Sequence, residues 1–250
     1  MMVIPADLPP DVAPLAWMLG TWKGWGMLAT PGDAPDRVVV EDVAADVRGT
    51  QVRVVTTIRA ASTAGGPQSA GVAAPTESPD IDPTLDAREG LDVLVEGPVL
   101  REETVYLTVL PGSGRLPLPG QDEPRELTGS GADMDGLATL WAGVSMGPRV
   151  QLNSDAIARG PRAEPIESLA RMYGMVAGEL MWTQERTVAG GEARIDLSGR
   201  LLRTGYARTE SGEQIPDDIA PEGPGGLPLF DVAASAGVSP LFPQAEGGPR

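Results

Sequence analysis

The chain has 250 residues, of which 41% are hydrophobic, enough for one large buried core or two small ones. Its 35 acidic and 19 basic side chains give a net charge of -16, which would repel the phosphate backbone of a nucleic acid, so we expect no nucleic-acid partner. The sequence contains no histidine and no cysteine. This excludes a Ser-His-Asp or Cys-His catalytic arrangement, the common zinc sites and a histidine-ligated haem built from this chain alone.

The N-terminal residues and the hydropathy pattern give no membrane signal. No apolar run approaches the roughly 20 residues that span a bilayer, and MMVIPADLPP lacks the charged, apolar and cleavage regions of a signal peptide. We therefore expect a cytoplasmic protein without a membrane partner. The sequence leaves the oligomeric state open.

Short strands dominate the predicted elements. The stretch DVAPLAWML predicts at most a short helical turn that closes one end of a core. Beyond it, apolar residues recur with a period of two, as in strands with one buried face. The predicted strands cover residues 20–26, 37–47, 51–60, 101–110, 136–145, 148–159, 171–184 and 192–204.

Two segments interrupt this pattern. Residues 60–92 are rich in Ala, Gly, Ser, Pro and acids and are too long for an ordinary hairpin connection, so we predict a flexible insertion. Residues 207–250 have a similar composition and are predicted to be a disordered acidic tail. The remaining strands and their Gly and Pro turns predict one all-β domain, a barrel or sandwich, over residues 1–206.

The stretch GTWKGWG combines three glycines with two tryptophans in the first predicted strand. Glycine within a strand marks a bend, a bulge or a close approach of another group. The motif is made of Gly20, Thr21, Trp22, Lys23, Gly24, Trp25 and Gly26.

Two blocks of the sequence resemble the nitrobindins, a family related to the fatty-acid-binding-protein-like barrels. The family's G-x-W-x-G-x-G pattern is matched by residues 20–26, after the lead APLAWMLG. A second block, residues 150–182, is similar to the family's strand with an Ala-Arg step followed by an Arg-Met-Tyr-Gly strand. Glu103, Thr104 and Tyr106 give a weaker match. The likeness leaves out the insertion and the tail.

The resemblance implies a closed antiparallel barrel of about ten strands that holds a ferric b-type haem at one mouth. Members of the family bind nitric oxide and isomerise peroxynitrite to nitrate. In such a barrel the motif glycines would let the first strand bend as the sheet closes. Trp22 or Trp25 would then pack against the core or line the pocket wall. The alternative is that the motif serves barrel closure alone and touches no ligand.

The resemblance also locates a departure from the family. Family members hold iron through a histidine in a His-Leu-Ser-Ala-x-Leu-x-Arg pattern, and DLSGRLLR at residues 196–203 places Asp196 at that position. Aspartate lacks the imidazole nitrogen that binds haem iron in either oxidation state. We therefore expect Asp196 not to ligate iron, and we expect no cofactor, no metal and no catalytic residue.

Three functions remain open at this point. The first is a nitrobindin-like barrel that has lost its haem ligand and binds a small molecule of unknown specificity. The second is a haem-dependent peroxynitrite isomerase, or a nitric-oxide-binding haemoprotein, with an unconventional ligand. The third is an interaction role carried by the insertion and the tail.

Strand parity adds a prediction about the pocket. Asp196 shares its side of an ideal strand with Arg194 and Arg200, whereas Leu197 and Leu201 lie on the other side. If Asp196 points inward, this strand lines the cavity with charge, which suits a wet or anion-accepting pocket. Alternatively, Asp196 pairs with Arg194 or Arg200 and nothing binds there.

An acidic cluster in the insertion resembles the opening of a calcium loop. Asp80, Asp82 and Asp86 have the spacing, but Leu85 stands where the loop requires glycine. We interpret these carboxylates as solvated acids of a loop.

Two glycine-rich stretches resemble phosphate loops only superficially. Residues 111–115 and 128–133 lack the required lysine and are predicted to be turns. Ser130 and Asp133 have no histidine base to complete a catalytic arrangement.

Overall fold

A computed structural model describes residues 8–30, 35–63, 79–112 and 123–205. A 3₁₀ helix, Pro10–Met18, precedes the first strand, and one α-helix, α1 (Ala87–Val93), precedes the fourth. The ten strands within these ranges are β1 Gly20–Leu28, β2 Arg37–Arg48, β3 Gln51–Thr63, β4 Leu94–Val109, β5 Arg125–Asp133, β6 Leu137–Ser145, β7 Arg149–Arg159, β8 Ile166–Val176, β9 Glu179–Val188 and β10 Arg194–Gly205.

The strands form one closed barrel in which each strand pairs antiparallel with its sequence neighbours. β1 completes the circle by pairing with both β2 and β10. The predicted closed antiparallel barrel is therefore confirmed. Among the described residues, no helix combines the length and the apolar character that crossing a membrane would require.

Two details of the predicted strand map are wrong. The single strand predicted over 171–184 is a hairpin of β8 and β9, and its turn holds Ala177 and Gly178 at φ 52° and 88°. Such positive φ values at both central residues are typical of a tight hairpin turn. The stretch 128–133, predicted to be a turn, belongs to β5. Its glycines are needed because β4 approaches closely: a Cβ on Gly131 would lie 2.6 Å from the Thr104 carbonyl oxygen.

The 3₁₀ helix packs into the core of the barrel, as predicted for the lead segment. Its Leu15 and Met18 are fully buried, and the indole N–H of Trp22 donates to the Met18 carbonyl at 2.9 Å. Arg203 of β10 lies over the Trp22 ring at 3.9 Å from its centroid. The same guanidinium donates to the carbonyl oxygens of Leu19 and Trp17. One arginine thus joins the last strand, the first strand and the helix.

We expect Arg203→Lys to lower the free energy of unfolding by about 2 kcal/mol, the scale of one or two charged hydrogen bonds. Lysine carries the charge, but it cannot span two carbonyls while stacking on an indole. Urea denaturation measures the change. The exposed Arg88 of α1 provides the control, and Arg88→Lys should be neutral. Equal effects of the two substitutions would contradict the assigned role of Arg203.

The two tryptophans of GTWKGWG lie on opposite sides of β1. Trp22 belongs to the barrel core, whereas Trp25 belongs to a second cluster outside the barrel. The indole N–H of Trp25 donates to the Asp86 carbonyl at 3.0 Å, and Gly90 of α1 lies against its ring. A Cβ on Gly24 would lie 1.9 Å from the Arg200 carbonyl oxygen. The glycines therefore allow β1 and β10 to approach as the barrel closes.

Part of the segment predicted to be a flexible insertion is ordered structure. Residues 60–63 continue β3, and residues 79–93 run along the outside of the barrel and include α1. The backbone N–H of Ala87 donates to Glu179 at 2.7 Å, which fixes the start of α1 to β9. Residues 64–78 lie outside the described ranges, as does the predicted tail, residues 207–250.

The acids that resemble a calcium loop serve local hydrogen bonds. Asp82 accepts from the backbone N–H and the hydroxyl of Thr84 at 2.9 and 2.7 Å. Asp86 is the N-cap of α1 and forms a reciprocal capping box with Glu89. Within the described ranges, no group of three or more acidic side chains is placed to hold a metal ion.

Candidate functional site

A polar pocket of about 270 Å³ opens at one end of the barrel. It lies where β6, β8 and β10 begin and where β5 and β9 end, and Arg101 and Glu103 reach it from the middle of β4. This is the end opposite the 3₁₀ helix, which contacts the last residue of β6. Ligand pockets of soluble proteins are usually mostly apolar, so charge on this scale is unusual. The charged side chains that line it are Arg101, Arg162, Arg171, Arg186, Glu103, Asp133, Asp135, Glu164 and Asp196.

Asp196 is buried in the wall of this pocket, with 1% of its surface exposed. Its Oδ2 accepts from Arg101 Nη1 at 2.7 Å and from Gln184 Nε2 at 3.2 Å. Its Oδ1 lies 3.0 Å from Arg186 Nε, although this contact lacks the alignment of a hydrogen bond. A buried carboxylate needs such compensation, because an unpaired charge away from water is very costly.

The prediction about strand parity is wrong, because β10 carries a bulge. The register with β9 shifts between Ile195 and Leu197, so Asp196 and Leu197 are both buried while Ile195 is 56% exposed. Leu201 also faces the core. Arg200 instead binds Glu179 outside the core. β10 therefore supplies a single charged group, Asp196, to the pocket.

The predicted partners of Asp196 are also wrong. Neither Arg194 nor Arg200 contacts its carboxylate in the structure, which pairs with Arg101 of β4 and Arg186 of β9. Arg186 lies on β9, the strand that pairs with β10, whereas Arg101 is 95 residues away in sequence and meets Asp196 only because the barrel closes. A bulge makes two successive residues share one face, and no single-strand pattern in the sequence signals it.

Arg171 of β8 is the centre of a second buried network beside Asp196. Its Nη2 lies 2.6 Å from Glu103 Oε2, and its Nε donates to Gln184 Oε1 at 3.0 Å. The guanidinium lies over the rings of Trp141 and Trp182, at 4.9 and 5.5 Å from their centroids. Burial alone would lower the pKa of Arg171, but the Glu103 carboxylate and the Tyr173 hydroxyl together outweigh it and raise that pKa. The arginine therefore stays charged.

This network was not predicted from the sequence, although Glu103 and the Arg-Met-Tyr-Gly block resemble the family. A signal for this network was present in the alternation of side chains along β8 and β9. Arg171 and Tyr173 share one face of β8, and Trp182, Gln184 and Arg186 share one face of β9. Polar side chains at the inward positions of two paired strands indicate a polar cavity.

The other residues singled out from the sequence lie outside this network or serve as supports. None of the GTWKGWG residues lines the pocket. Lys23 pairs with Asp42 and Glu96 at 3.1 and 2.6 Å. Ser130 is exposed, whereas Asp133 lines the pocket and accepts from the backbone N–H of Leu137 at 2.8 Å.

The barrel matches a known protein family. Residues 11–203 match the family described as the THAP4-like, heme-binding beta-barrel domain. The chain belongs to this family. The resemblance to the nitrobindins is thereby confirmed.

Similar proteins carry two different names. A ferric nitrobindin-like protein of Beutenbergia cavernae is 34% identical over 213 residues, covering 80% of this chain and 97% of the relative. A peroxynitrite isomerase of Kocuria rhizophila is 30% identical over 211 residues, covering 80% and 94%. The crystal structure of Rv2717c from M. tuberculosis has a TM-score of 0.53 at 22% identity, covering 79% of this chain and 99% of that one, and shows likeness of fold alone.

These comparisons correct the expectation that no cofactor belongs to this barrel. The family is described as heme-binding, so haem is the cofactor that its fold implies and a small molecule is the expected kind of ligand.

The donor atoms of this chain do not fit a haem held through imidazole. The sequence has no histidine. Asp196 is already engaged by two guanidinium groups and an amide. The buried Tyr173 hydroxyl accepts from Arg171 at 3.3 Å.

Proposed function

We propose that this barrel is a small-ligand-binding protein of the nitrobindin-like family in which Asp196 replaces the iron-ligating histidine. The observation that carries the proposal is the place of Asp196, a buried carboxylate in the pocket wall whose charge is balanced by Arg101 and Arg186. The likeness to a ferric nitrobindin-like protein supports it. The ligand binds at the polar end of the barrel.

The pocket favours a ligand that both donates and accepts hydrogen bonds. Guanidinium groups supply donors only, and carboxylates supply acceptors only. Arginine and acidic side chains line the pocket together. A small polar molecule that both donates and accepts hydrogen bonds would therefore find partners of both kinds.

A second candidate is a haem-dependent peroxynitrite isomerase with an unconventional iron ligand. The observation that favours it is the 30% identity to a protein named peroxynitrite isomerase. Spectra of the haem-loaded protein distinguish the two candidates.

Hemin titration of the wild type, Asp196→His and Asp196→Asn tests whether Asp196 occupies the position of the family's iron-ligating histidine. We expect Asp196→His to bind hemin roughly tenfold or more tightly than Asp196→Asn, the scale on which metal-site groups act. The histidine variant should also show the Soret spectrum of imidazole-ligated ferric haem. Arg101 and Arg186 favour this outcome, because two neighbouring cations lower the pKa of a histidine and keep its imidazole neutral.

Asp196→Asn is the matched control, since both variants remove the same negative charge and only one adds an imidazole. Equal hemin affinity of the two variants, with native circular dichroism, would overturn the proposal. A wild type that carries one haem per chain, loses it in Asp196→Asn and accelerates peroxynitrite decay would favour the second candidate instead.

A further inference from the structure

Glu41 of β2 is a buried acid that the proposed binding function does not use. It is 0% exposed and lies on the inner face of its strand, with Val39 and Val43. Its Oε2 accepts the indole N–H of Trp182 at 2.8 Å. Its Oε1 has no hydrogen-bond partner among the described residues. A buried carboxyl oxygen without a partner is costly, so its retention needs an explanation.

Two glycines of the closing seam make room for this carboxyl group. A Cβ on Gly26 would lie 2.5 Å from Glu41 Oε1, and a Cβ on Gly199 would lie 1.8 Å from Glu41 Oε2. Any larger residue at either position would collide with the acid. Gly26, the last glycine of the GTWKGWG motif, therefore makes room for the Glu41 side chain as well as for β10.

The surroundings of Glu41 are uncharged on each described strand that packs against it. Gly24 and Gly26 face it from β1, Ile58 from β3, Trp182 from β9 and Gly199 from β10. No cation lies among these neighbours to favour the carboxylate.

Burial in these surroundings determines the protonation of Glu41. It raises the pKa of Glu41 from 4.5 to about 8, although the Trp182 hydrogen bond opposes the rise. The group is therefore mostly protonated at neutral pH and ionises within an accessible range.

Trp182 connects this acid to the pocket. Its ring stacks on Tyr173 with centroids 5.6 Å apart, and Arg171 lies over it at 5.5 Å. Arg171 lines the pocket. The indole therefore lies between Glu41 on one side and a guanidinium of the ligand site on the other.

We propose that Glu41 is a positioning residue that holds Trp182 behind the ligand pocket. By releasing its proton, it alters the contact that the Trp182–Tyr173 stack makes with Arg171. The effect on ligand binding rests on the function proposed above, whereas the proton site itself does not. The ionised carboxylate accepts a stronger, charge-assisted hydrogen bond from Trp182. Its negative charge also attracts the Arg171 guanidinium through the indole.

The ligand-free protein tests the proton site. In ¹⁵N-labelled wild type, we expect one tryptophan indole N–H signal to shift with a midpoint near pH 8, and Trp182→Phe to remove that signal. Glu41→Gln keeps the size of the side chain and should abolish the shift. The indole of Trp22, which donates to a backbone carbonyl, is the internal control and should not titrate. Burial raises the pKa of Tyr173 above its ordinary value of 10, so Tyr173 stays neutral in this range.

Unfolding provides a second readout with a definite sign. Because the folded-state pKa of Glu41 exceeds its ordinary value of 4.5, the stability from this group is fully present below pH 4.5 and falls as the pH rises towards 8. We expect the difference in urea midpoint between Glu41→Gln and wild type to increase in favour of the variant from pH 5 to pH 8.5. A difference that is constant with pH would overturn the proton site, as would an indole signal that titrates equally in Glu41→Gln.

Hemin serves as the probe for coupling to the pocket. The measurement is made in Asp196→His, where the proposed function expects hemin to bind. We expect the ratio of hemin affinities of Asp196→His with and without Glu41→Gln to change at least threefold between pH 6.5 and pH 9. A constant ratio, with the indole titration present, would overturn the coupling. If Asp196→His does not bind hemin more tightly than Asp196→Asn, the function proposed above fails, while the indole titration still decides the proton site.

Discussion

Gly24→Ala should lower the free energy of unfolding by about 3 kcal/mol or more, the upper range for overpacking. A Cβ at this position would lie 1.9 Å from the Arg200 carbonyl oxygen and 2.6 Å from the Leu201 Cα. Both are backbone atoms of β10, so no side-chain rotation relieves the collision. The two strands must separate at the seam that closes the barrel, and several hydrogen bonds weaken together. Urea denaturation followed by circular dichroism measures the loss.

Gly174→Ala is the matched control for this prediction. Gly174 also lies in a strand, but the nearest atom to its Cβ would be the Pro148 carbonyl oxygen at an ordinary 3.8 Å. Its substitution should change stability by less than about 1 kcal/mol, because alanine has little to collide with there. Similar losses for Gly24→Ala and Gly174→Ala would show that the seam does not require glycine.

Alternation of apolar residues predicted most of the barrel but failed where the local pattern was incomplete. β5 was missed because Gly129 and Gly131 replace apolar residues wherever β4 approaches. The turn at residues 177–178 was missed because the apolar run continues into it. α1 was missed because the composition of its segment suggested disorder, although the Asp86 and Glu89 capping box was visible in the sequence.

The candidate site was predictable only in part, because its pairs form between strands. Asp196 was identified through resemblance to a family, whereas its partners come from other strands: Arg186 from the paired strand β9, and Arg101 from β4, which is distant in sequence. Glu41 was missed, although its position was predictable. It shares strand parity with Val39 and Val43, so an inward apolar face of β2 necessarily turns this acid inward as well.

Removing the Glu103 charge should show how much the stability of the barrel depends on a negative charge beside Arg171. We expect Glu103→Gln to lower the free energy of unfolding by about 3 kcal/mol, the cost of leaving one member of a buried ion pair without its partner. The Arg171 side chain is 4% exposed and that of Glu103 14% exposed, so water screens their 2.6 Å contact poorly. Urea denaturation at neutral pH measures the change.

The surface pair of Asp46 and Arg53 is the control for this loss. Its two side chains are 29% and 32% exposed and lie 2.8 Å apart. Asp46→Asn should cost less than about 1 kcal/mol, because solvent screens an exposed pair. Equal costs for Glu103→Gln and Asp46→Asn would contradict the burial argument.

A double variant decides whether the loss in Glu103→Gln comes from an uncompensated Arg171 charge. In Arg171→Met with Glu103→Leu, both charges are gone and an apolar chain remains between Trp141 and Trp182, so we expect most of the lost stability to return. The wild type, Arg171→Met, Glu103→Leu and the double variant form a cycle that gives the coupling energy between the two positions. Additive effects would mean that Gln184 and Tyr173 satisfy Arg171 without Glu103. A double variant more stable than the wild type would mean that the charge in the pocket is retained at a cost in stability, as expected of a site selected for binding.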